Sequence, residues 1–319
     1  MKACKPHLYP KTERSGLPED CRLAMIIFIV LSKKRMFINT RRGLLDLSRP
    51  RVMGIINVTE DSFYSHSRYR SDDDIVKATG GMLEDGADII DVGGCSTRPG
   101  APEVSMEKER KRVCHAVEII RGRYPEAVVS VDTYRASVAE EAVVNAGADI
   151  INDISGGEMD PEMFPLVMLL KVPYILMHMQ GTPQNMQDSP SYDDVVNDII
   201  QWFAPRISRL RQSGVKDVVI DPGFGFGKTA RHNFELLRRL SEFRITGLPI
   251  LAGVSRKTMI WKTLGIKPDE ALNGTTALNM TALMNGASLL RVHDVRQARE
   301  VATLFEKIYP EGILFDQYS

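Results

Sequence analysis

The chain has 319 residues, 43% of them hydrophobic, a length that suits one barrel of about 250 residues better than one small domain. Lys+Arg and Asp+Glu balance at 41 each, which excludes the basic footprint of a nucleic-acid binder. The four cysteines form no C-x-x-C pair and no two of the six histidines lie within four residues, so a zinc ribbon, a thioredoxin motif and a helical H-E-x-x-H site are all excluded.

Residues 1–35 do not share the pattern of the rest of the chain. Ala24 to Leu31 is an apolar run, too short to span a bilayer, and Ser32-Lys33-Lys34-Arg35 comes next, where a signal peptide would carry small residues. The expectation is a dispensable N-terminal extension over 1–35 and a single domain over 36–319. A reduced, cytoplasmic protein with no membrane partner is the simplest reading of the cysteine usage.

From Met36 the pattern is regular. Phe37-Ile38-Asn39 and Leu44-Leu45-Asp46-Leu47 flank Thr40-Arg41-Arg42-Gly43, which reads as a β-hairpin. Short apolar runs rich in Val and Ile follow at 52–58, 87–94, 127–133, 148–155, 172–179, 215–223, 247–255 and 286–294. Nearly continuous apolar character is how strands of a parallel sheet buried on both faces read. Amphipathic stretches such as 103–123, 135–146, 191–213 and 294–309 separate them, and Gly86, Gly147 and Gly286 stand where helix C-caps are needed. Eight alternations predict an α/β fold, a (β/α)8 TIM barrel with the N-terminal β-hairpin capping its bottom, over an open doubly wound sheet.

Polar residues cluster where these runs end: Asn57, Asp91, Asp132, Asn152 with Asp153, His178, Asp221, Ser255, and Arg291 with His293. Barrel active sites are built at that end of the strands. Loop 1, Asn57-Val58-Thr59-Glu60-Asp61, offers oxygen ligands of the kind Mg²⁺ takes, although an Asx turn would use the same residues. Loop 2, Gly93-Gly94-Cys95-Ser96-Thr97-Arg98, offers close backbone approach and anion donors. Asp221-Pro222-Gly223-Phe224-Gly225-Phe226-Gly227-Lys228 fails the P-loop pattern, because Pro222 replaces the required first glycine. It reads instead as a glycine-rich loop setting Asp221 and flat Phe side chains against a planar ligand. Ser255-Arg256-Lys257 and Arg291-Val292-His293 place cations after the last two strands, where barrels bind phosphate. Asp132, Asn152 and Asp221 either cap the following helices or read the donor-rich edge of an amino-pyrimidinone ring.

Over residues 36 to 310 the chain resembles the dihydropteroate synthases, a family of pterin-binding enzymes. The resemblance is carried by MGIINVTEDSF (53–63), DGADIIDVGGCSTRPGA (85–101), SVDTYRASVAEEAVVNAGADIINDISGG (130–157), LMHMQGTPQNMQ (176–187), DPGFGFGK (221–228), GVSRKTMI (253–260) and GTTALNMTALMNGASLLRVHDV (274–295). It implies condensation of (7,8-dihydropterin-6-yl)methyl diphosphate with 4-aminobenzoate, giving 7,8-dihydropteroate and diphosphate. By position, Asn57 would face Mg²⁺. Asp132, Asn152, Asp221 and Lys257 would hold the pterin, with Met177 and Phe226 packing nearby. Thr97, Arg291, Val292 through its backbone, and His293 would hold the diphosphate end, and Ser255 would lie near the aminobenzoate carboxylate. Asp132, Asp221 and Lys257 would carry the chemistry. The resemblance also implies a homodimer, with the helices near 270–309 as its interface.

Three departures stand out: Glu60 for the usual Pro, Tyr64 to Arg68 for the usual Asp-Gly-Gly, and Cys95 for the usual Glu. A corrinoid-linked methyltransferase would share the Asp–Asn pterin set but has no use for the two cationic clusters. A pterin binder without catalysis would have lost some of these positions, and all of them are present.

Overall fold

The computed structural model describes residues 36–58, 71–95 and 104–312. The expected N-terminal extension, Thr97, and the parts of loops 1 and 2 that contain Glu60, Asp61 and Arg98 lie outside the described residues.

In chain order the strands are β1 (Phe37–Thr40), β2 (Gly43–Asp46), β3 (Arg51–Asn57), β4 (Ile89–Gly93), β5 (Val128–Asp132), β6 (Ile150–Asp153), β7 (Tyr174–Met177), β8 (Val218–Asp221), β9 (Leu251–Ala252) and β10 (Leu289–Val292). The α-helices are α1 (Asp72–Glu84), α2 (Met106–Arg123), α3 (Ala136–Glu141), α4 (Met163–Leu170), α5 (Val195–Gln212), α6 (Ala230–Arg238), α7 (Thr258–Leu264), α8 (Leu272–Met284) and α9 (Val295–Ile308). β3 to β10 pair in parallel in the order β8-β7-β6-β5-β4-β3-β10-β9. A parallel bridge between Ile220 and Ile250 joins the two ends, so the sheet closes into the expected (β/α)8 barrel.

Side chains along a strand alternate between the barrel interior and the helix layer. In β3, Val52 and Ile56 pack outward against the helices while Met53 packs inward. Both faces are therefore apolar, which is why the sequence reads as unbroken runs. The strands are shorter than those runs, most sharply in β9, where pairing ends before Gly253.

The hairpin β1–β2 plugs one end. Met36, Ile38 and Leu47 form one apolar cluster with Met53, Ile89, Ile150, Ile175, Val219, Leu251 and Leu289, residues from seven barrel strands, and Val128 of the eighth packs against it. The other end of the interior is polar. Moving two residues along from this apolar layer gives Asp91, Ser130, Asn152, Asp221 and Arg291 on the same inward face. One closed barrel thus has an apolar floor and a charged mouth.

The helix-to-strand junctions use one device twice. Asp88 and Asp149 each accept a strand amide, Val52 N at 2.8 Å and Val129 N at 2.9 Å. Each also pairs with an arginine, Arg299 or Arg121, whose Nε donates to the carbonyl of Gly86 or Gly147. Both glycines have φ near +90°, where a Cβ is disfavoured, so the repeated Gly-Ala-Asp has a backbone reason. The stretch 135–146 is α3 followed by a π turn, Ala142–Ala146, rather than one continuous α-helix.

Candidate active site

The expected ring-reading residues do not cap helices. The N-cap residues that follow β5, β6 and β8 are Arg135, Glu162 and Thr229, which leaves Asp132, Asn152 and Asp221 facing the barrel mouth. They meet there with Arg291. Its Nε donates to Asp91 Oδ2 at 2.7 Å and a terminal nitrogen donates to Asp132 Oδ2 at 2.5 Å. Asn152 Nδ2 donates to the same Asp91 oxygen at 3.1 Å. Asp91 is fully buried.

This packing biases the protonation states. Burial pushes the Asp132 carboxyl up and the Arg291 guanidinium opposes it. Burial likewise raises Asp221, against Lys257 and the amide of Gly223, which donates to Asp221 Oδ1 at 2.7 Å. Burial works to lower Arg291, but Asp91 and Asp132 outweigh it and hold the guanidinium firmly charged. Lys257 is pushed down to about 8 by burial, with Asp221 opposing.

Lys257 donates to the carbonyl of Phe224, and its ammonium lies 4.6 Å from the centre of the Phe226 ring. Phe226 packs against an apolar shelf of Ile154, Met177, Met179 and Met186. The two Phe side chains therefore part ways. Phe226 is partly buried beside the Lys257 ammonium, but Phe224 is fully buried among the barrel-and-helix core and offers no face to a ligand. The sequence spacing did not separate them. The cause is a tight backbone: Gly223, Gly225 and Gly227 all have positive φ, and a Cβ on Gly223 would sit 1.9 Å from His178 O.

After the last two strands, Ser255 Oγ lies 3.0 Å from His293 Nδ1 and accepts from His293 N at 3.2 Å. Val292 pairs in register with Gly54 and is buried, so only its backbone is available to the mouth. Asn57 ends β3. Gly93 stands between it and Asp132: a Cβ there would lie 3.4 Å from Asn57 Oδ1 and 3.6 Å from Asp132 Oδ2. The structure thus brings together Asn57, Asp132, Asn152, Met177, Asp221, Phe226, Ser255, Lys257, Arg291, Val292 and His293 around one opening, and Thr97 lies outside the described residues.

Asn57 fits Mg²⁺ by donor type, since that ion takes oxygen ligands, keeps waters and is usually completed by substrate phosphates. Among the described residues no cluster of three His, Cys, Asp or Glu forms a dedicated protein cage. An ion shared between Asn57 and a phosphorylated substrate needs none.

Three groups lacked an assigned role in the sequence. Asp91 was visible as a polar strand-end residue, yet nothing in the spacing showed that it would hold both Asn152 and Arg291. Glu109, buried on α2, accepts from Thr133 Oγ1 at 2.6 Å and Arg135 at 2.5 Å. Its place four residues before Val113 on the buried helix face was the available signal. Lys228, buried, donates to Phe226 O at 2.9 Å and lies 3.0 Å from His178 Nδ1. Burial pulls both well below their ordinary values, with the Lys228 charge adding to the effect on His178. Cys95 is half-buried, and burial followed by the neighbouring Glu109 pushes its thiol up, away from reactive thiolate.

Comparison with known proteins agrees with this geometry. The pterin binding enzyme family matches residues 53–293. The dihydropteroate synthase of Escherichia coli (strain K12) is 46% identical over 264 residues, 82% of this chain and 93% of that protein. The Yersinia pestis dihydropteroate synthase, solved as a sulfonamide drug complex, superposes with a TM-score of 0.82 at 42% identity, covering 86% of this chain and 100% of that one. The Xanthomonas albilineans dihydropteroate synthase, solved with 4-aminobenzoic acid, superposes with a TM-score of 0.78 at 38% identity, covering 86% and 99%.

Proposed function

The chain belongs to the pterin binding enzyme family, and from that premise we propose how its barrel mouth works as a dihydropteroate synthase, a transferase of folate biosynthesis. It condenses (7,8-dihydropterin-6-yl)methyl diphosphate with 4-aminobenzoate to give 7,8-dihydropteroate and diphosphate. The observation that carries the reading is the set of Asp132, Asn152, Asp221 and Lys257 gathered with Arg291 in one barrel mouth.

Asp221 and Asn152 read the pterin edge, a carboxylate accepting two parallel N–H donors and an amide supplying one acceptor and one donor. Met177 and Phe226 pack beside the ring, and Lys257 donates to it. Arg291, His293, the Val292 backbone and Thr97 hold the diphosphate. Ser255 lies toward the aminobenzoate carboxylate. In the reaction the bond between the pterin methylene carbon and the diphosphate oxygen breaks, and its electron pair leaves with the diphosphate. Asp132 and Asp221, negative beside the ring, favour the cation that remains. Arg291 and His293 favour the departing anion, which is stabilisation placed where charge develops. The aminobenzoate nitrogen lone pair then forms the new C–N bond, and the nitrogen gives up its proton to water. Mg²⁺, held by Asn57, would supply further neutralisation of the diphosphate.

Arg291 on β10, with His293 directly after that strand, favours this reading over methyl transfer from a folate, which has no leaving diphosphate. Exposed apolar side chains on α8 and α9, Met284 together with Leu304 and Ile308 one helical turn apart, support a homodimer through these helices. Cys95 and Cys114 are free thiols, which supports a cytoplasmic setting. Among the described residues no helix is long and apolar enough to cross a membrane.

Calorimetric titration with a 6-hydroxymethylpterin tests the ring-reading half. Binding is expected for the wild type and loss of it for Asp221→Asn. Equal binding by both would contradict the assignment.

A further inference from the structure

We infer that Arg256 is a positioning residue, a strut that sets the anion-binding loop after β9 against the one after β10. The inference rests on the proposed pterin-diphosphate reading of the mouth. Arg256 stands between two residues that reading uses, Ser255 and Lys257. Its backbone has φ 52°, in the left-handed region, where a non-glycine residue is held only if its surroundings over-determine it.

The surroundings do so. Nε and a terminal nitrogen of Arg256 each donate to one oxygen of Asp294, both at 2.8 Å, a bidentate pair. The Arg256 side chain is 8% exposed. Its other terminal nitrogen donates to the carbonyls of Pro268 and Asp269 at 3.0 and 2.7 Å. Its backbone N–H donates to Thr275 Oγ1 at 3.0 Å. Asp294 follows His293 directly. Two successive residues of one loop are therefore tied to two successive residues of the other: Ser255 to His293, and Arg256 to Asp294.

The geometry has a mechanical consequence. The Arg256 fork gives two hydrogen bonds to Asp294 and two to the carbonyls of Pro268 and Asp269. What it determines is direction, because a left-handed residue reverses the chain locally and sends Ser255 and Lys257 toward their separate partners, His293 on one side and the Phe224 carbonyl on the other. A lysine can replace the charge but not the planar fork.

The test compares Arg256→Lys, Arg256→Gly and Asp294→Asn with wild type in turnover, in calorimetric binding of inorganic diphosphate, and in thermal melting. Arg256→Gly tolerates the left-handed backbone, so it isolates the fork from the strain. The expected result is a rise of about tenfold to a hundredfold in KM for the pterin diphosphate, matched by weaker diphosphate binding, in all three variants. Melting shifts alone, with KM and diphosphate binding unchanged, would overturn the inference and leave Arg256 as scaffold only. Wild-type protein that neither turned over nor bound diphosphate would instead overturn the proposed function on which the inference stands.

Discussion

Arg291 Nε donates to Asp91 Oδ2 at 2.7 Å across the inside of the barrel, from a residue 200 positions away in the chain. Asp91 is fully buried and holds Asn152 with the same oxygen, so one carboxylate aims both a cation and a ring-reading amide. Asp91→Ala leaves Arg291 with Asp132 as its remaining carboxylate and removes the acceptor of Asn152. Breaking a buried pair by deleting one partner costs roughly 3 kcal/mol at the low end. Chemical denaturation should show a loss of about that size, together with weaker pterin binding. Unchanged stability would mean that Asp91 does not anchor Arg291.

The rate should be bell-shaped in pH. Burial raises both Asp132 and Asp221, so their ionised forms are lost at a higher pH than for exposed carboxylates, and kcat/KM falls on the acid side from above the usual carboxylate range. Lys257 loses its proton near 8, so kcat/KM falls again as pH rises through that value. In Lys257→Arg the cation stays charged, and the alkaline limb should move up or vanish, whatever the absolute rate. An alkaline limb near 8 that persisted in that variant would assign it to another group.

Two glycines should respond to alanine with opposite signs. Gly81 lies inside α1 with nothing within 4 Å of an added Cβ, so Gly81→Ala should stabilise by about 0.5–1 kcal/mol. Gly223 has φ 74° and a carbonyl 1.9 Å from the Cβ position, so Gly223→Ala should fail to accumulate as folded protein or melt far lower. Thermal melts of the pair check both, and a neutral Gly223→Ala would show that the loop after β8 can be rebuilt.

The barrel was legible because its physics is local and periodic: eight apolar runs, each followed by an amphipathic stretch, leave few ways to bury both sheet faces. The hairpin was legible from its turn and its two apolar arms. Most of the mouth was legible because polar residues at strand ends have few other reasons to be there. What spacing could not show was partnership across the barrel. Asp91 and Arg291 come from β4 and β10, which flank β3 in the sheet, and the pairing of the first barrel strand with the last is what brings them together. Phe224 and Phe226 look equivalent in Gly-Phe-Gly-Phe-Gly, and their opposite fates follow from backbone turns that no residue-type pattern encodes.

Mg²⁺ should be required for turnover, and Asn57 should set its affinity. Asn57→Ala is expected to raise the Mg²⁺ concentration for half-maximal rate by at least about tenfold, by analogy with the loss seen when groups around a metal are removed. Turnover in excess chelator, or an Mg²⁺ dependence unchanged in the variant, would contradict the assignment of Asn57.

The most direct test of the central claim is diphosphate release by the purified protein given the pterin diphosphate and Mg²⁺, with and without 4-aminobenzoate. The account predicts release that depends on aminobenzoate, with one dihydropteroate formed for each diphosphate, and its loss in Asp132→Asn and Asp221→Asn. Pterin binding without aminobenzoate-dependent release, or full turnover in both variants, would contradict it.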